Sequence, residues 1–487
     1  MASEYPFWVG GKWKTSSERW EVANPYDGKA VGLTYLASAA DVEEAIAAAS
    51  AAFKETRKLP AFRRGEILHA ISEGLKSRKE EVARMITLES GKPIADARGE
   101  VGRAINTFQI ASEEAKRIEG EVIPLDLMPG SEGRVGITRR FPVGPIFGIS
   151  PFNFPLNLVA HKIAPALAAG NTILLKPAPK TPLTALLLAE IIAASGAPDG
   201  SVNVFLCSNE LAEKTLLDPR IKMLSFTGSG PVGWSLKEKA NKKRVILELG
   251  GNAGVIIEAD ADLDLAARRC AVGGFSYAGQ VCISVQRIFV QEKIYTPFLN
   301  RFLPLVEGLK VGDPLNEDTA MGSMIDLKAA ERAEGWIQEA VSQGAKVLAG
   351  GKRSGTLLQP TVLEKTTAKM QVNCREVFAP IVTVTPYTDL DQAISALNDS
   401  PYGLQAGLFT RDIREIFHAF DAIDVGGLIV NDVPTYRIDH MPYGGLKESG
   451  VGREGIRYAI EEMTDLKFMA LNLGSEGGRP PFRRPSA

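Results

Sequence analysis

The chain has 487 residues, of which 45% are hydrophobic and 23% are charged, and its 56 basic and 58 acidic residues leave a formal net charge of -2. This composition is typical of a globular enzyme with two or three domains, and the balanced charge argues against a nucleic-acid partner. The N-terminus has no basic segment ahead of an apolar run, and every long apolar stretch is interrupted by Pro, Gly or a charged residue. We therefore expect no signal peptide, no membrane span and a cytoplasmic location.

The four cysteines and four histidines are widely spaced along the chain. No Cys-x-x-Cys pair and no closely spaced histidine pair occurs, so we expect no disulfide framework and no metal site. The cysteines fit a reducing compartment with at most one reactive thiol.

Helical patterns dominate residues 39–118, whereas residues 119–138 are rich in Gly, Pro and charge with short extended pieces. From residue 143 onward, short β-branched runs alternate with amphipathic stretches, which is typical of parallel sheets with crossover helices. The strands predicted here are 144–150, 171–176, 201–207, 221–226, 245–249, 254–257, 285–290, 382–384 and 428–430, with a terminal strand at 466–474. The predicted fold class is therefore α/β, with two doubly wound parallel-sheet domains.

A rigid turn around Asn153 follows the first of these strands, in the segment Ser-Pro-Phe-Asn-Phe-Pro. Proline is favoured in the first turn of a helix, so we expect a helix to begin near Pro155. The Asn153 amide could donate to an oxyanion, but a turn or N-cap role is the more common one for an isolated asparagine. The residues alone leave both roles open.

Gly228, Gly230 and Gly233 form a Gly-x-Gly-x-x-Gly pattern between a predicted strand and a predicted helix. In that context the amides at the helix N-terminus can face a dinucleotide phosphate, although glycines also make tight turns without a ligand. The same pattern expects an acidic residue about 20 positions further on, where Glu248 lies. Glu248 is therefore a candidate ribose ligand or a candidate general base.

Cys282 lies in Tyr-Ala-Gly-Gln-Val-Cys-Ile-Ser, where the glycine allows a sharp turn that presents the sulfur to a ligand. Glu248 lies upstream in Leu-Glu-Leu-Gly-Gly, whose glycines allow close approach beside the carboxylate. Together the two residues indicate a thiol nucleophile and its base. Cys207, Cys270 and Cys374 are better interpreted as inert small hydrophobic residues.

The order of these segments resembles the aldehyde dehydrogenase superfamily, and the resemblance covers nearly the whole chain. Its motifs are residues 9–13, Asn153 in Pro-Phe-Asn-Phe-Pro, Lys176 in Leu-Leu-Lys-Pro, Gly228 and Ser229 in Phe-Thr-Gly-Ser, Glu248, Cys282, Glu376 with Phe378 in Glu-Val-Phe-Ala-Pro, and residues 442–445. The resemblance implies a small β oligomerisation arm beside the two domains, and a homodimer or homotetramer.

The resemblance also implies NAD(P)-dependent oxidation of an aldehyde to its acid. Cys282 would be the nucleophile, Asn153 the oxyanion donor and Glu248 the base that activates water for thioester hydrolysis. This implication replaces the ribose-ligand interpretation of Glu248. The cofactor-binding residues that it implies are Lys176, Gly228, Ser229, Gly233, Leu249, Glu376 and Phe378.

One departure from the family pattern concerns the choice between NAD and NADP. NAD-preferring relatives commonly carry a glutamate three positions after the cofactor lysine, and this chain has Pro179 there, followed by Lys180. Because a carboxylate would repel a 2'-phosphate, its absence predicts that NADP is accepted alongside NAD.

The segment around Tyr436 resembles the substrate-lining loop of lactaldehyde and non-phosphorylating glyceraldehyde-3-phosphate dehydrogenases. The phosphotriose enzymes carry arginines where this chain has Val281 and Tyr436, and a tyrosine where it has Phe154. Arg103 is retained, and Arg437 is one position from a lost arginine. We therefore predict a small unphosphorylated polar aldehyde, such as lactaldehyde, glycolaldehyde, glyceraldehyde or a short semialdehyde. The predicted substrate lining also includes Ile283 and His440.

Three alternatives remain open on the sequence alone: a phosphotriose substrate, a CoA-acylating reaction, or a non-catalytic protein on the same fold. The predicted domains are a cofactor-binding domain at 1–118 and 139–250, a catalytic domain at 251–430, a substrate-lining loop and return at 431–465, and an oligomerisation arm and tail at 119–138 and 466–487.

Overall fold

The computed structural model describes residues 3–474 and contains two large sheets with helices on their faces. The first sheet has eight strands, of which the five central ones are parallel. In spatial order they are Lys12–Lys14, Phe7–Val9, Val202–Val204, Thr172–Lys176, Pro145–Ile149, Met223–Thr227, Arg244–Glu248 and Gly450–Val451. Its edge strands are antiparallel, so the sheet is mixed around a parallel centre.

The chain order of the first sheet reverses between Pro145–Ile149 and Met223–Thr227. The strands that follow Pro145–Ile149 lie on one side of this point, and those that follow Met223–Thr227 lie on the other. Such a reversal opens a crevice at the carboxyl ends of the strands, where ligands bind in sheets of this kind. The segments that leave these two strands carry Asn153 and Gly228.

Buried apolar residues hold the first sheet and its helices together. Thr172–Lys176 is buried at every position, as expected for a strand covered by helices on both faces. The helices of this unit are Ala39–Thr56, Ala61–Ser77, Lys79–Ser90, Ile94–Glu114, Asn157–Ala169, Leu183–Ala193, Asn209–Leu217, Gly230–Ala240 and Ile456–Glu462.

The second sheet has seven strands and is parallel apart from one antiparallel edge. Its spatial order is Lys346–Ala349, Thr361–Glu364, Ile381–Tyr387, Val285–Gln291, Ala253–Ile257, Gln405–Phe409 and Gly427–Val430. Its α-helices are Leu263–Phe275, Tyr295–Glu307, Leu327–Ser342, Gln371–Cys374, Leu390–Asn398 and Ile413–Ala422.

A smaller antiparallel sheet is formed by Thr464–Asn472, Arg134–Pro142 and Val122–Pro124, in that order, and we call it the arm. Thr464–Asn472 pairs with Arg134–Pro142 along its whole length. Three two-stranded ribbons complete the strands: Arg19–Ala23 with Ala30–Tyr35, Tyr402–Gly403 with Leu446–Lys447, and Arg353–Ser354 with Leu357–Leu358. None of the helices between residues 3 and 474 has the length and apolar character needed to cross a bilayer.

The α/β fold class with two wound sheets is confirmed. Most predicted strands start within two residues of the observed start. The predicted strand 201–207 contains only Val202–Val204. The helix expected near Pro155 begins at Asn157, because Glu100 accepts hydrogen bonds from the backbone N–H groups of Leu156 and Asn157 and so fixes the first turn there. Residues 475–487 of the predicted tail lie outside the described residues.

Candidate active site

Cys282 follows a tight turn that requires unusual backbone conformations. The 3-10 turn Ser276–Gly279 ends with three consecutive residues of positive φ. A Cβ on Gly279 would lie 2.2 Å from the Ala379 carbonyl oxygen, so only glycine fits there. Tyr277 is buried in this turn, and its hydroxyl donates to a backbone carbonyl of the first unit at 2.9 Å. The turn therefore holds the Cys282 segment against the first unit.

The Cys282 thiol contacts Tyr443, and the backbone just before it contacts Asn153. Its Sγ lies 3.1 Å from the Tyr443 hydroxyl. Burial raises the pKa of the Cys282 thiol to about 11, and the hydrogen bond with Tyr443 opposes this rise. Asn153 donates from Nδ2 to the Gln280 carbonyl at 3.0 Å, which leaves its second amide N–H for another acceptor. The turn after Pro145–Ile149 is thus hydrogen-bonded to the segment that carries Cys282.

Glu248 ends the strand Arg244–Glu248 and is only 2% exposed. Neither carboxylate oxygen has a hydrogen-bond partner among residues 3–474. Burial raises the pKa of Glu248 well above its ordinary 4.5, and the neighbouring charge of Glu454 raises it further. Because native proteins rarely leave a buried polar group unpaired, this carboxylate is a functional candidate on physical grounds.

Cys282 lies where two cavities meet. A cavity of about 300 Å³ on one side is lined by Asn153, Gly228, Ser229, Glu248, Leu249, Glu376 and Phe378 together with the cysteine. A cavity of about 480 Å³ on the other side is lined by Arg103, Phe154, Val281, Ile283 and Arg437, again with the cysteine. The three predicted catalytic residues therefore share one space, and the sulfur is accessible from both spaces.

Two predicted substrate residues do not line the second cavity. Tyr436 is 44% exposed, and its backbone carbonyl accepts a hydrogen bond from the Gln405 side chain at 3.3 Å. His440 is also exposed, and its neighbour Asp439 is the residue that turns inward. Consecutive residues of an irregular loop point in different directions, which the sequence does not reveal.

Two arginines bring positive charge to the second cavity. Arg103 donates from Nη2 to Asp439 at 2.8 Å, and its buried Nε has no partner among the described residues. Arg269, which was not predicted, bonds through Nη2 to Asp432 at 3.1 Å. Each arginine faces one carboxylate and is about one-third exposed, so both retain donors for a further anionic group.

Arg437 lines the second cavity, and its buried Nε has no hydrogen-bond partner among the described residues. Its Nη2 donates to Glu454 at 2.8 Å, and its guanidinium carbon lies 3.6 Å from the centre of the Tyr443 ring. Glu454 also lies 3.5 Å from the buried amine of Lys162. Lys162 and Glu454 were not identified from the sequence, because only the folded chain brings them to Glu248.

Glycines allow two of the predicted cofactor-binding side chains, Glu376 and Leu249, to pack closely against the backbone beside the first cavity. A Cβ on Gly250 would lie 2.3 Å from the Glu376 carboxylate, and one on Gly233 would lie 2.4 Å from Leu249. Glu376 accepts the Gly251 N–H at 3.0 Å, and burial raises the pKa of Glu376 to about 7.

The ring of Phe378 is held over the first cavity by a strained backbone. Phe378 has a φ of 48°, which is uncommon for a bulky residue and is seen mainly where a side chain must be held for function. Its ring meets the Phe152 ring edge-on, with the ring centres 5.9 Å apart.

The predicted adenosine side of the first unit lies at the end of the strand Thr172–Lys176. Lys176 is buried, and this burial lowers the pKa of its amine. The Pro179 carbonyl accepts a hydrogen bond from the Trp20 indole at 2.8 Å. The amine of Lys180 lies 3.4 Å from Asp326, so part of its charge is offset by a residue of the second unit.

Comparison with known proteins identifies the family. The model of the aldehyde dehydrogenase family matches residues 13–469. The chain belongs to the aldehyde dehydrogenase family. It is 48% identical to a 3-sulfolactaldehyde dehydrogenase from Priestia aryabhattai over 474 residues, which is 97% of this chain and 99% of that protein.

Two solved structures also resemble this aldehyde dehydrogenase over nearly all of its length. One is aldehyde dehydrogenase 21 from Physcomitrella patens in complex with the reaction product succinate, with a TM-score of 0.96 and 43% identity over 98% of this chain and 100% of that one. The other is a glyceraldehyde-3-phosphate dehydrogenase from Methanocaldococcus jannaschii complexed with NADP, with a TM-score of 0.90 and 39% identity over 94% of this chain and 100% of that one.

The predictions of family, enzyme class and nicotinamide cofactor are confirmed by these comparisons. The protein is an oxidoreductase that acts on an aldehyde group with NAD or NADP. The first cavity fits the nicotinamide end of such a cofactor, because Glu376 and Phe378 line it together with Gly228 and Ser229 at the start of helix Gly230–Ala240. Within residues 3–474, no group of three or more His, Cys, Asp or Glu side chains is arranged to hold a metal ion.

Proposed function

We propose that this aldehyde dehydrogenase oxidises a short polar aldehyde that carries a sulfonate or carboxylate group, with Cys282 as the nucleophile. The observation that carries the proposal is the second cavity, which ends at the Cys282 sulfur and has Arg103 and Arg269 in its wall. Unpaired arginine donors match the oxygens of an anionic group, and they recognise such groups by paired hydrogen bonds.

The reaction begins at the sulfur. The Cys282 thiolate attacks the carbonyl carbon, and the carbonyl oxygen takes up the electron pair to give a thiohemiacetal. The second N–H of Asn153 and the backbone N–H of Cys282 donate to that oxyanion. The nicotinamide cofactor, when bound, supplies the hydride acceptor.

The oxidised adduct is a thioester on the same sulfur, and Glu248 completes the reaction. Its carboxylate takes a proton from water, the resulting hydroxide attacks the thioester carbon, and the acid leaves as Cys282 is released. No side chain or backbone group of the described residues bonds to the Glu248 carboxylate, which leaves both of its oxygens available to a water molecule. A base in this position favours hydrolysis over transfer of the acyl group to CoA.

The proposed cofactor roles extend from the first cavity to the end of the strand Thr172–Lys176. Lys176 would bind the adenosine ribose, Ser229 the pyrophosphate, Glu376 the nicotinamide ribose, and Phe378 would contact the nicotinamide ring. Acceptance of NADP is supported by Pro179, which places no carboxylate where a 2'-phosphate would lie. We assign the unit of the first sheet to cofactor binding and the unit of the second sheet to carrying the nucleophile.

The substrate proposal favours a sulfonate or carboxylate over a phosphate. The similar Priestia protein is named for 3-sulfolactaldehyde, and the similar Physcomitrella structure contains succinate. Arginines that the phosphotriose enzymes carry are replaced here by Val281, which lines the cavity, and Tyr436, which does not. A monoanion needs fewer cationic donors than a phosphate dianion, and Arg103 with Arg269 supplies that smaller number.

The enzyme also has the features of a homodimer or homotetramer in a reducing cytoplasm. Thr464–Asn472 forms an outer strand of the arm and exposes Leu466, Phe468 and Met469, and exposed apolar edge strands commonly pair with another chain. All four cysteines are free thiols, which fits a reducing compartment.

The test is a series of steady-state rates followed by reduced-nicotinamide absorbance, with NAD and NADP in parallel. The substrates are 3-sulfolactaldehyde, succinic semialdehyde, lactaldehyde and glyceraldehyde 3-phosphate. We expect the sulfonate or the carboxylate substrate to exceed lactaldehyde by at least about tenfold in kcat/KM, since one charge-assisted contact is worth about that factor. Cys282→Ala should abolish turnover with every substrate.

The arginine variants connect this preference to the cavity. Arg103→Gln and Arg269→Gln should each raise the KM of the preferred anionic substrate about tenfold or more while leaving that of lactaldehyde nearly unchanged. Arg98→Gln is the control, because Arg98 lies on the same helix as Arg103 but bonds to Glu80 and Glu317 outside the cavity. An equal kcat/KM for charged and neutral substrates, or a preference for glyceraldehyde 3-phosphate, would overturn the proposed substrate class.

A further inference from the structure

A cationic cavity lies at the base of the arm, outside the active site. It has a volume of about 580 Å³ and is formed by the start of helix Ala61–Ser77, by the segment before it and by the arm strand Arg134–Pro142. Its charged lining consists of Arg57, Lys58, Arg64, Arg139, Arg140 and Glu119. We call it the arm-base pocket. Five cations and one acid give it an excess of four positive charges.

These cations have no acidic partners within residues 3–474, unlike most arginines of the same unit. None of the five forms an ion pair with a described residue, whereas arginines such as Arg98, Arg117 and Arg220 each contact two carboxylates. Like charges that share one cavity repel each other, and this repulsion persists unless an anion enters.

The side chains are held in place by groups other than acids. Arg57 and Arg139 lie over the rings of Phe53 and Phe141, with guanidinium carbons 5.3 and 5.5 Å from the ring centres. Arg140 donates to the Thr464 hydroxyl at 3.3 Å. These contacts fix the guanidinium groups and leave most of their donors free.

Arg64 is the innermost of the five cations. Its Nε is buried and has no hydrogen-bond partner in the described part of the chain. Burial lowers the pKa of the Arg64 guanidinium, and no carboxylate opposes that change. A buried donor of this kind is costly to leave unpaired, which points to a partner that the protein itself does not supply.

Backbone donors add to the same space. Helix Ala61–Ser77 begins after Pro60 with no side-chain cap and no acidic residue in its first turn, and both Pro60 and Ala61 line the pocket. The first N–H groups of a helix favour anions, so the helix and the side chains act in the same direction.

We propose that the arm-base pocket binds a dianionic phosphate group, either free phosphate or the phosphate of a small ester. The volume is within the range of about 300–1,000 Å³ that small-molecule sites occupy. A phosphate there would pair with Arg64 at the inner end and with Arg139 from the arm. It would thereby connect the arm to the helix that begins at Ala61.

The test is isothermal titration of inorganic phosphate into the full-length oligomer at fixed ionic strength, with NADP at saturation so that the cofactor site is filled. We expect one phosphate per subunit that Arg64→Gln and Arg139→Gln each weaken about tenfold, since each variant removes one charge-assisted contact. Arg19→Gln, at an exposed arginine elsewhere on the same unit, should leave the phosphate Kd unchanged, and so should Arg103→Gln in the substrate cavity.

Arg139 is exposed, so its variant decides the result if Arg64→Gln folds poorly. Absence of binding, or binding that neither variant weakens, would overturn the proposal, and so would a carboxylate of a neighbouring subunit occupying the pocket in the oligomer. A parallel titration with glycerol 3-phosphate distinguishes free phosphate from a phosphate ester as the ligand of the pocket. Tighter binding of the ester supports a phosphorylated metabolite, and equal binding supports free phosphate.

Discussion

Two ionisable groups, the partly buried Cys282 and the buried Glu248, define the proposed chemistry at the scale of single residues. Burial raises the pKa of both, so each favours its protonated form before a substrate binds. A carboxylate with a raised pKa is a better proton acceptor than an ordinary one, which suits the hydrolysis of a thioester. The raised pKa values of these two groups make the steady-state rate depend on pH.

Glu248→Gln should separate the two halves of the reaction. The variant keeps the nucleophile, so it should release about one equivalent of reduced nicotinamide per active site in a burst. Its steady-state rate should then fall about 10²- to 10⁴-fold, because no base activates water. Stopped-flow absorbance measures both phases. A large rise in the cofactor KM with normal turnover would instead support a ribose-binding role.

The pH profile of the wild-type enzyme should carry a limb from Glu248. The active form is the carboxylate, and its pKa lies well above 4.5, so the steady-state rate should fall as the pH drops through that raised pKa. The burst of Glu248→Gln should lack this limb. An identical acid limb in the burst of the variant would assign it to another group.

Pro179→Glu should convert a cofactor-tolerant site into one that prefers NAD. A carboxylate at this position repels a 2'-phosphate, so the KM for NADP should rise at least about tenfold while the KM for NAD stays similar or falls. Pro179→Gln is the matched control, because it has the same shape without the charge. Equal effects of the two variants on NADP would show that shape rather than charge matters there.

The catalytic candidates were recognisable from the sequence because their motifs are local. Cys282, Glu248 and Asn153 each lie in a short segment of characteristic residues, and the structure brings all three to one cavity. Tyr443 and Arg269 were not assigned a role, because their contribution depends on contacts with residues distant in the chain. For the same reason, the sequence did not reveal that Tyr436 and His440 lie outside the wall of the second cavity.

At the scale of elements, a buried carboxylate holds the turn that carries Asn153. Glu100 projects from helix Ile94–Glu114, accepts the N–H groups of Leu156 and Asn157 at 2.9 and 3.1 Å, and forms an ion pair with the buried Lys92. It therefore replaces the side-chain N-cap that helix Asn157–Ala169 lacks. This contact also explains why the helix starts two residues after Pro155.

Glu89 offers a matched comparison with Glu100. It accepts the N–H groups of Leu183 and Thr184 at the start of another helix, but it has no cationic partner among the described residues. Glu100→Ala should cost about 3–5 kcal/mol of unfolding free energy because it leaves Lys92 buried and unpaired. Glu89→Ala should cost about 1–3 kcal/mol for the lost cap. Urea unfolding measures both, and equal costs would contradict the proposed role of the ion pair.

Element boundaries were predictable where apolar runs were continuous, as in Val285–Gln291, which is buried at every position. The strands Thr361–Glu364 and Gln405–Phe409 were not predicted, because they are short and their pairing depends on neighbours far along the chain. The antiparallel strand Gly450–Val451 has only two residues, which is too few for a pattern.

At the scale of the whole molecule, the arm presents an apolar strand to its surroundings. Phe468 is 55% exposed and Met469 is 50% exposed, so both faces of Thr464–Asn472 carry uncovered apolar area. Pairing with another subunit would bury that area and satisfy the open edge of the strand.

Met469→Asp should weaken the proposed oligomer. An aspartate buried in a subunit interface without a partner should raise the dissociation constant of the oligomer at least about 100-fold. Light scattering across a dilution series measures this change. Asn472→Asp adds the same charge on the same strand at a polar position and serves as the control. An unchanged mass for Met469→Asp would place the subunit contact elsewhere.

The return of the chain to the first sheet has a consequence for synthesis on the ribosome. Gly450–Val451 pairs with Leu247 and Glu248 only after the whole of the second sheet, from Ala253–Ile257 to Gly427–Val430, has been made. The first large sheet therefore begins before the second but is completed after it, which departs from the usual N-terminal-first order in which domains become complete. A nascent chain that ends before Gly450 contains every strand of the second sheet, but it leaves the strand of Glu248 as an open edge that other chains could pair with.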